Sequence, residues 1–151
     1  DMDCDVIAQH CDTVYPQSLA QERGVYSIGY NSDMSKDAPE ACLCSVIWNW
    51  SAYYTAAVQS VIEGTWDGSN YYGGMSENLV NITSLADFCA EGTAEKVEEA
   101  RAAILSGANG VFDGVIETNT GDTVGEEGKT LDDATITGGI NWYFKTVSVV
   151  D

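Results

Sequence analysis

His10, Cys11 and Asp12 stand side by side, a histidine, a thiol and a carboxylate of the kinds that combine in nucleophilic catalysis. Adjacent residues of an extended segment point to opposite faces. A nucleophile, its base and an orienting acid must instead converge in space, so this tripeptide does not read as a triad. Cys42-Leu-Cys44 would put two thiols on one face of a strand, but His10 is the only histidine and no second pair stands at zinc spacing. The acidic stretch Asp122–Glu127 lacks the D-x-D-x-D-G spacing and distal glutamate of a calcium loop, and reads as a solvated loop. The phosphate loop G-x-x-x-x-G-K-[ST], the dinucleotide G-x-G-x-x-G and the hydrolase G-x-S-x-G are all absent. No metal, no cofactor and no catalysis are expected.

What remains is chemistry of recognition. His10, Asp12, Thr13, Asn31 and Asp33 fall at the ends of two predicted strands, where they can hydrogen-bond the polar edge of a ligand. Trp48 and Trp50, with Asn49 between them, offer flat faces on which a ring can stack. Binding pockets for small molecules have this make-up, mostly apolar walls with a few placed polar groups. Each residue also has a plainer reading. Asn31 and Asp33 can stabilise a turn, and Trp50 falls in the apolar stripe of its helix. Trp48 lies outside that stripe, at a strand-to-helix junction, and is assigned to the pocket.

The elements that must position these groups follow from periodicity and turn chemistry. Val6–Gln9 is a short strand. Pro16–Arg23 is a helix with proline in its first turn and Gly24 just past its end. Val25–Tyr30 is a second strand, so the three form a βαβ unit with parallel strands and a right-handed crossover. In open α/β sheets, ligands bind beyond the carboxyl ends of strands. Ala41–Ile47 is a third strand. Trp50, Tyr54, Ala57, Val58, Val61 and Ile62 then recur at helical spacing up to Gly64. Further on, a short strand is expected near Tyr71–Tyr72 and a short helix over Thr83–Cys89. A firm helix spans Thr93–Ser106 with Thr93 as N-cap and Val97, Ala100 and Ile104 as its apolar stripe. A strand over Val111–Ile116, a loop or hairpin over Asn119–Lys129 and a docking apolar tail, Ile140–Val150, complete the chain.

Composition narrows the function classes. The chain has 151 residues, 44% of them hydrophobic, enough for about one domain with a real core. There are 24 acidic residues against six basic ones, a net charge of −18. Nucleic-acid binding needs Lys and Arg to neutralise phosphates, so it is excluded as a partner class. Charge-driven docking on anionic lipid is disfavoured for the same reason. The five cysteines are an odd set, which cannot pair completely within one chain, and most are expected to be reduced and buried. Asn49-Trp-Ser and Asn81-Ile-Thr fit the glycosylation sequon, a pattern too short to decide anything alone. No apolar run approaches the roughly 20 residues of a membrane helix, and no signal peptide opens the chain. The first residues read as the middle of a fold, and the chain is expected to be a fragment with any export signal upstream.

The segment from Asp5 to Trp66 resembles the basic membrane protein (BMP) family, the PnrA-like substrate-binding lipoproteins of ABC transporters. The shared order is a D-V-I strand, a polar turn, a helix ending in R-G-V and a strand ending I-G-x-N-x-D. An S-V-I strand end, a helix, a G-x-W turn and a G-G segment follow. The stretch V-E-E-x-R-x-x-I-x-x-G at 97–107 and Asn141-Trp-Tyr143 also fit, so the resemblance covers nearly the whole chain. It implies an α/β fold of the type I periplasmic-binding class, two lobes with ligand in the cleft between them. This chain would be the C-terminal half. Residues 1–47 would belong to the C-terminal lobe, 48–66 would be a helix of the N-terminal lobe, and 67–151 the hinge return and C-terminal lobe.

The same resemblance implies a function. The protein would bind a purine base or nucleoside outside the cytoplasmic membrane, held there by a lipid anchor upstream, and deliver it to an ABC permease and its ATPase. Asp33 would face the ligand, and the turn His10–Thr13 would border the cleft. One position departs from the family pattern. Many nucleoside binders carry a lysine where Trp48 stands, and a tryptophan offers an apolar face and one N–H in place of an ammonium. This shifts the expected ligand toward a free base such as adenine. The alternatives are a ligand sensor of the same fold coupled to signalling, and an enzyme acting on nucleosides. An upstream lipobox, or a DNA-binding or membrane-spanning segment, separates transport from sensing, and release of free base would mark the enzyme.

Overall fold

A parallel strand pair needs a crossover, and the stretch between the first two strands supplies it. The computed structural model describes residues 3–108 and 110–149. In it, β1 (Val6–Ala8) leads into α1 (Tyr15–Glu22) and the chain returns as β2 (Tyr26–Asn31). Pro16 sits in the first turn of α1, where its missing N–H leaves no helical bond unmade. Gly24, at φ 67°, turns the chain from helix to strand. β1 and β2 are parallel, with Val6 opposite Tyr26 and Ala8 opposite Ile28. β3 (Cys42–Trp48) is parallel to β2 on its other side, with a register shift between Ser27 and Ile28. The sheet order is β1-β2-β3-β4.

The fourth strand is Val80–Ile82, antiparallel to β3 and pairing Val46 with Ile82 and Trp48 with Val80. It replaces the strand expected near Tyr71–Tyr72, where the Tyr71 ring lies 4.5 Å from that of Tyr53. Nor does Thr83–Cys89 form a helix. The edge of β3 captures it: Thr83 N–H donates to Ser45 C=O at 2.9 Å and Ala86 N–H to Leu43 C=O at 2.8 Å. A strand edge presents unpaired backbone groups whose demand outweighs weak local propensity.

Between β2 and β3 the chain folds back over the sheet. Met34 N–H donates to Ser45 Oγ at 3.1 Å, passing over Gly29. A Cβ on Gly29 would come within 3.1 Å of Met34 Cβ and clash with Ser45 Oγ, so glycine is what allows the crossing. Met34, Ala38, Ala41 and Cys42 are then buried against Ala20 of α1, with Val25 packed beside them. Of the other cysteines, Cys4 and Cys11 are exposed, against expectation, while Cys44 and Cys89 are half-buried. Burial, then the neighbouring Cys42 and Cys89 thiols, raise the pKa of Cys44 and keep it protonated at neutral pH.

α2 (Trp50–Glu63) ends at Gly64, which takes the left-handed conformation at φ 72°. None of its residues is buried. Trp50, Tyr54, Val58, Val61 and Ile62 are between 45% and 74% exposed, so the apolar stripe is formed but uncovered within this chain. α3 (Thr93–Leu105) begins one residue early: Lys96 N–H bonds to Gly92 C=O, placing Gly92 and not Thr93 at the cap. Its stripe is also poorly covered, with Ile104 40% exposed.

The chain divides into two compact units, residues 1–96 and 97–151. In the second, the strand expected over Val111–Ile116 is only β5 (Ile116–Glu117), paired antiparallel with β6 (Thr123–Val124) across a hairpin. Gly114 and Gly125, at φ 71° and 81°, break what would be a longer ladder, and it resumes around an Asp113–Thr130 bridge, with Gly114 N–H donating to Lys129 C=O and Leu131 N–H to Phe112 C=O. A π-helical turn spans Thr135–Gly139. The tail docks as expected on the outer side of β5, through Lys145 N–H to Glu117 C=O at 3.0 Å and Asn119 N–H to Tyr143 C=O at 2.9 Å. Val150, its last predicted residue, lies outside the described residues.

Candidate ligand-binding site

Parallel neighbours in a sheet end on the same side, so the residues that follow β1 and β2 are brought together by topology alone. Asn31 closes β2 at φ 68°, a left-handed conformation that asparagine tolerates. Its Nδ2 lies 3.4 Å from Asp12 Oδ1, linking the turn after β1 to the end of β2. The His10 ring lies 4.3 Å from that of Tyr30, at 49°. Asp12, Thr13 and Asn31 line a cavity of about 320 Å³ with Tyr30, Ser32 and Met34. No lysine or arginine lines it, so it suits a neutral or cationic group better than an anion.

Asp33 is turned away from that cavity. The fold-back over Gly29 carries it to a neighbouring hollow of about 500 Å³, walled by Ser35, Cys42 and residues 83–88. Asp33 Oδ1 accepts a hydrogen bond from Ser35 N–H at 3.0 Å. Hydrogen bonds from the Ser35 side chain and backbone, with the Lys36 charge adding to them, hold its pKa below the usual carboxylate value. A folded-state value below the unfolded one stabilises the fold above pH 3.8, and that contribution fades as pH falls through the lowered value. Asp33 is exposed, so the effect is small. Removing the charge with Asp33→Asn is expected to flatten slightly the part of the acid limb of the unfolding curve that lies below pH 3.8. An acid limb steeper than that of the unmodified protein would contradict this.

Trp48 and Asn49 stand at the carboxyl end of β3, the same sheet end as Asn31, whose partner in register is Ile47, but they line neither cavity. Trp48 is half-buried, and its ring starts a run of ring contacts, stacked except for the tilted pair Tyr53–Tyr54. Trp48 to Trp50 is 5.8 Å, Trp50 to Tyr54 5.9 Å, Tyr54 to Tyr53 5.8 Å and Tyr53 to Tyr71 4.5 Å. Asn49 N–H donates to Leu79 C=O at 2.7 Å, and its Oδ1 accepts from Ser51 Oγ at 2.5 Å, so the residue anchors the junction to the segment before β4. The predicted site residues thus fall into three groups. Asp12, Thr13 and Asn31 are together, with His10 against Tyr30; Asp33 is in the adjoining hollow; Trp48 and Asn49 are at the root of α2.

Sequence reasoning missed the support beneath the first group. Gln17 is fully buried in α1, and its Nε2 donates to Ile28 C=O at 3.1 Å. Gln9 joins it to the turn after β1. A glutamine facing a sheet has no signature in periodicity; its spacing from buried Ala20 is the only available hint. Among the described residues, no group of three or more His, Cys, Asp or Glu side chains could hold a metal, and no helix is long and apolar enough to cross a membrane.

A three-strand parallel sheet with a crossover helix, an antiparallel edge strand and polar groups gathered at strand ends defines an α/β ligand-binding fold, here part of the type I periplasmic-binding class. The chain belongs to the Bmp family, ABC transporter substrate-binding proteins of the PnrA-like type, whose family model matches residues 1–111. It is 34% identical over 143 residues to a purine-binding protein of Brucella abortus strain 2308, covering 95% of this chain and 40% of that protein. It is also 37% identical over 79 residues to a putative ABC transporter glucose-binding protein of Haloferax volcanii, covering 52% of this chain and 20% of that one. The chain therefore spans less than half the length of either relative. Among solved structures, a transcriptional activator of the comK gene from Bacillus halodurans is similar over 70% of this chain and 38% of its own, with a TM-score of 0.62 and 18% identity, a likeness of fold alone.

Proposed function

We propose that this chain is the C-terminal part of an extracytoplasmic solute-binding protein that holds a purine base in a cleft between two lobes and hands it to an ABC importer. The observation that carries the reading is the cavity at the ends of β1 and β2, where Asp12, Thr13 and Asn31 meet without a single cationic side chain. An uncharged heterocycle with N–H donors and ring-nitrogen acceptors matches such a wall, whereas a phosphorylated ligand would be repelled. The name of the Brucella relative supports the same ligand class.

In this reading Trp48 and Asn49 approach the ligand from the hinge side, and Asp33 borders it from the adjoining hollow. Residues 1–47 and 67–151 belong to the C-terminal lobe and hinge, and 48–66 to the N-terminal lobe. The uncovered stripe of α2 supports that assignment, since large exposed apolar faces mark surfaces that another body covers. The ligand favours the closed arrangement of the lobes by binding it more tightly than the open one, and the closed form docks on the permease. The chain itself makes and breaks no bond; ATP is hydrolysed by another subunit.

Thermal unfolding of the full-length protein tests this. A ligand at 100 times its Kd stabilises by about 2.7 kcal/mol. Adenine or hypoxanthine should raise the unfolding midpoint, and phosphorylated AMP should not. A midpoint unmoved by every purine would overturn the assignment.

A further inference from the structure

Gln9 follows β1 directly and carries no role in the proposed function, yet its carboxamide reaches two residues that line the strand-end cavity, Thr13 and Met34, and the buried Gln17 beneath it. Its Nε2 lies 3.2 Å from Thr13 C=O, 3.1 Å from Gln17 Oε1 and 3.3 Å from Met34 Sδ. Its Oε1 accepts from Cys11 N–H at 2.5 Å. An amide nitrogen has two hydrogens, so the two oxygens are its partners and the thioether, a weak acceptor, is a packing contact.

The orientation of both glutamine amides is fixed from outside. Gln17 Nε2 must donate, because its partner Ile28 C=O can only accept. Gln17 Oε1 is then the acceptor left for Gln9, so Gln9 presents its nitrogen inward and its oxygen to Cys11 N–H. The result is a relay from the backbone of β2, through Gln17 and Gln9, to the backbone on both sides of Asp12. Gln17 is fully buried, so neither water nor an alternative rotamer readily replaces its part of the chain. Beyond this relay, the described side-chain contacts across the cavity are the long 3.4 Å bond from Asn31 to Asp12 and the His10–Tyr30 ring contact.

We propose that Gln9 is a positioning residue: through Gln17 it locks the turn 10–13 to β2 and so sets where Asp12 and Thr13 stand relative to Asn31. The inference rests on the ligand site proposed above. A ligand bound across the two loops then meets a preformed wall, and losing the relay would leave the turn to be ordered at the moment of binding.

The test uses the full-length protein with Gln9→Met, which keeps the length and removes the bonds, and with adenine as the probe. Amide exchange at residues 10–13 of the ligand-free protein should quicken about tenfold while that of β3 stays unchanged. The Kd for adenine should rise about tenfold or more, with the unfolding midpoint little altered. If Gln9→Met does not fold, Gln9→Glu carries the test, since its carboxylate can still accept from Cys11 but cannot donate to Thr13 or Gln17. Exchange at 10–13 that quickens no more than in β3, or an unchanged Kd with a quickened turn, would overturn the proposal. If the unmodified protein binds neither adenine nor adenosine, the ligand assignment fails, and the exchange contrast alone decides whether Gln9 fixes the turn.

Discussion

If the protein prefers free adenine, as proposed, Trp48→Lys is expected to move that preference toward adenosine. The change removes a ring face on which a base can stack, worth about 0.5–1.5 kcal/mol beyond its buried area. It supplies an ammonium that can donate to sugar hydroxyls, where a charged hydrogen bond contributes about 1.5–3 kcal/mol. Both ligands carry the base, so the lost ring face weakens both, and the ratio of affinities changes through the sugar contact, by about one to two orders of magnitude. The structure gives the substitution room: Trp48 is half-buried at the end of β3, stacked on Trp50 at 5.8 Å, and lies outside the small core around Met34. Titrations of adenine and adenosine against both forms measure the ratio. An unchanged ratio would remove Trp48 from the ligand site.

The second large effect concerns α2. Ile62 is 74% exposed in this chain, and together with Val58, Val61 and Trp66 it borders a wholly apolar hollow of about 250 Å³. If the N-terminal lobe covers that face, Ile62→Asp buries an unpaired carboxylate in the full-length protein. The cost should be about 3 kcal/mol, read as a lowered urea midpoint. A solvent-facing position would change by less than about 0.5 kcal/mol. A result of that small size would mean that α2 does not pack in the other lobe.

Where the sequence was a good guide, one local signal and one global rule agreed. β1, α1 and β2 are bounded by Pro16 and Gly24, and the crossover forces their strands parallel, so the meeting of Asp12, Thr13 and Asn31 follows from topology. α2 was legible from its spacing and from Gly64. The failures have a common cause. Val80–Ile82 and Thr83–Ala86 are extended because β3 offers an open edge, a demand that no local pattern carries. Asp33 stands two residues from Asn31, but the crossing of Met34 over Gly29 onto Ser45 sends it to the next hollow. Gln17 looks like an ordinary surface polar residue until the sheet buries it, and half-buried Gln9 until it bonds to Gln17.

Calorimetric titration of the full-length protein with adenine, adenosine and glucose decides whether it is a receptor for a purine base. Adenine should bind most tightly, adenosine more weakly, and glucose not detectably. Tight binding of glucose without purine binding, or adenosine bound far better than adenine, would contradict that assignment.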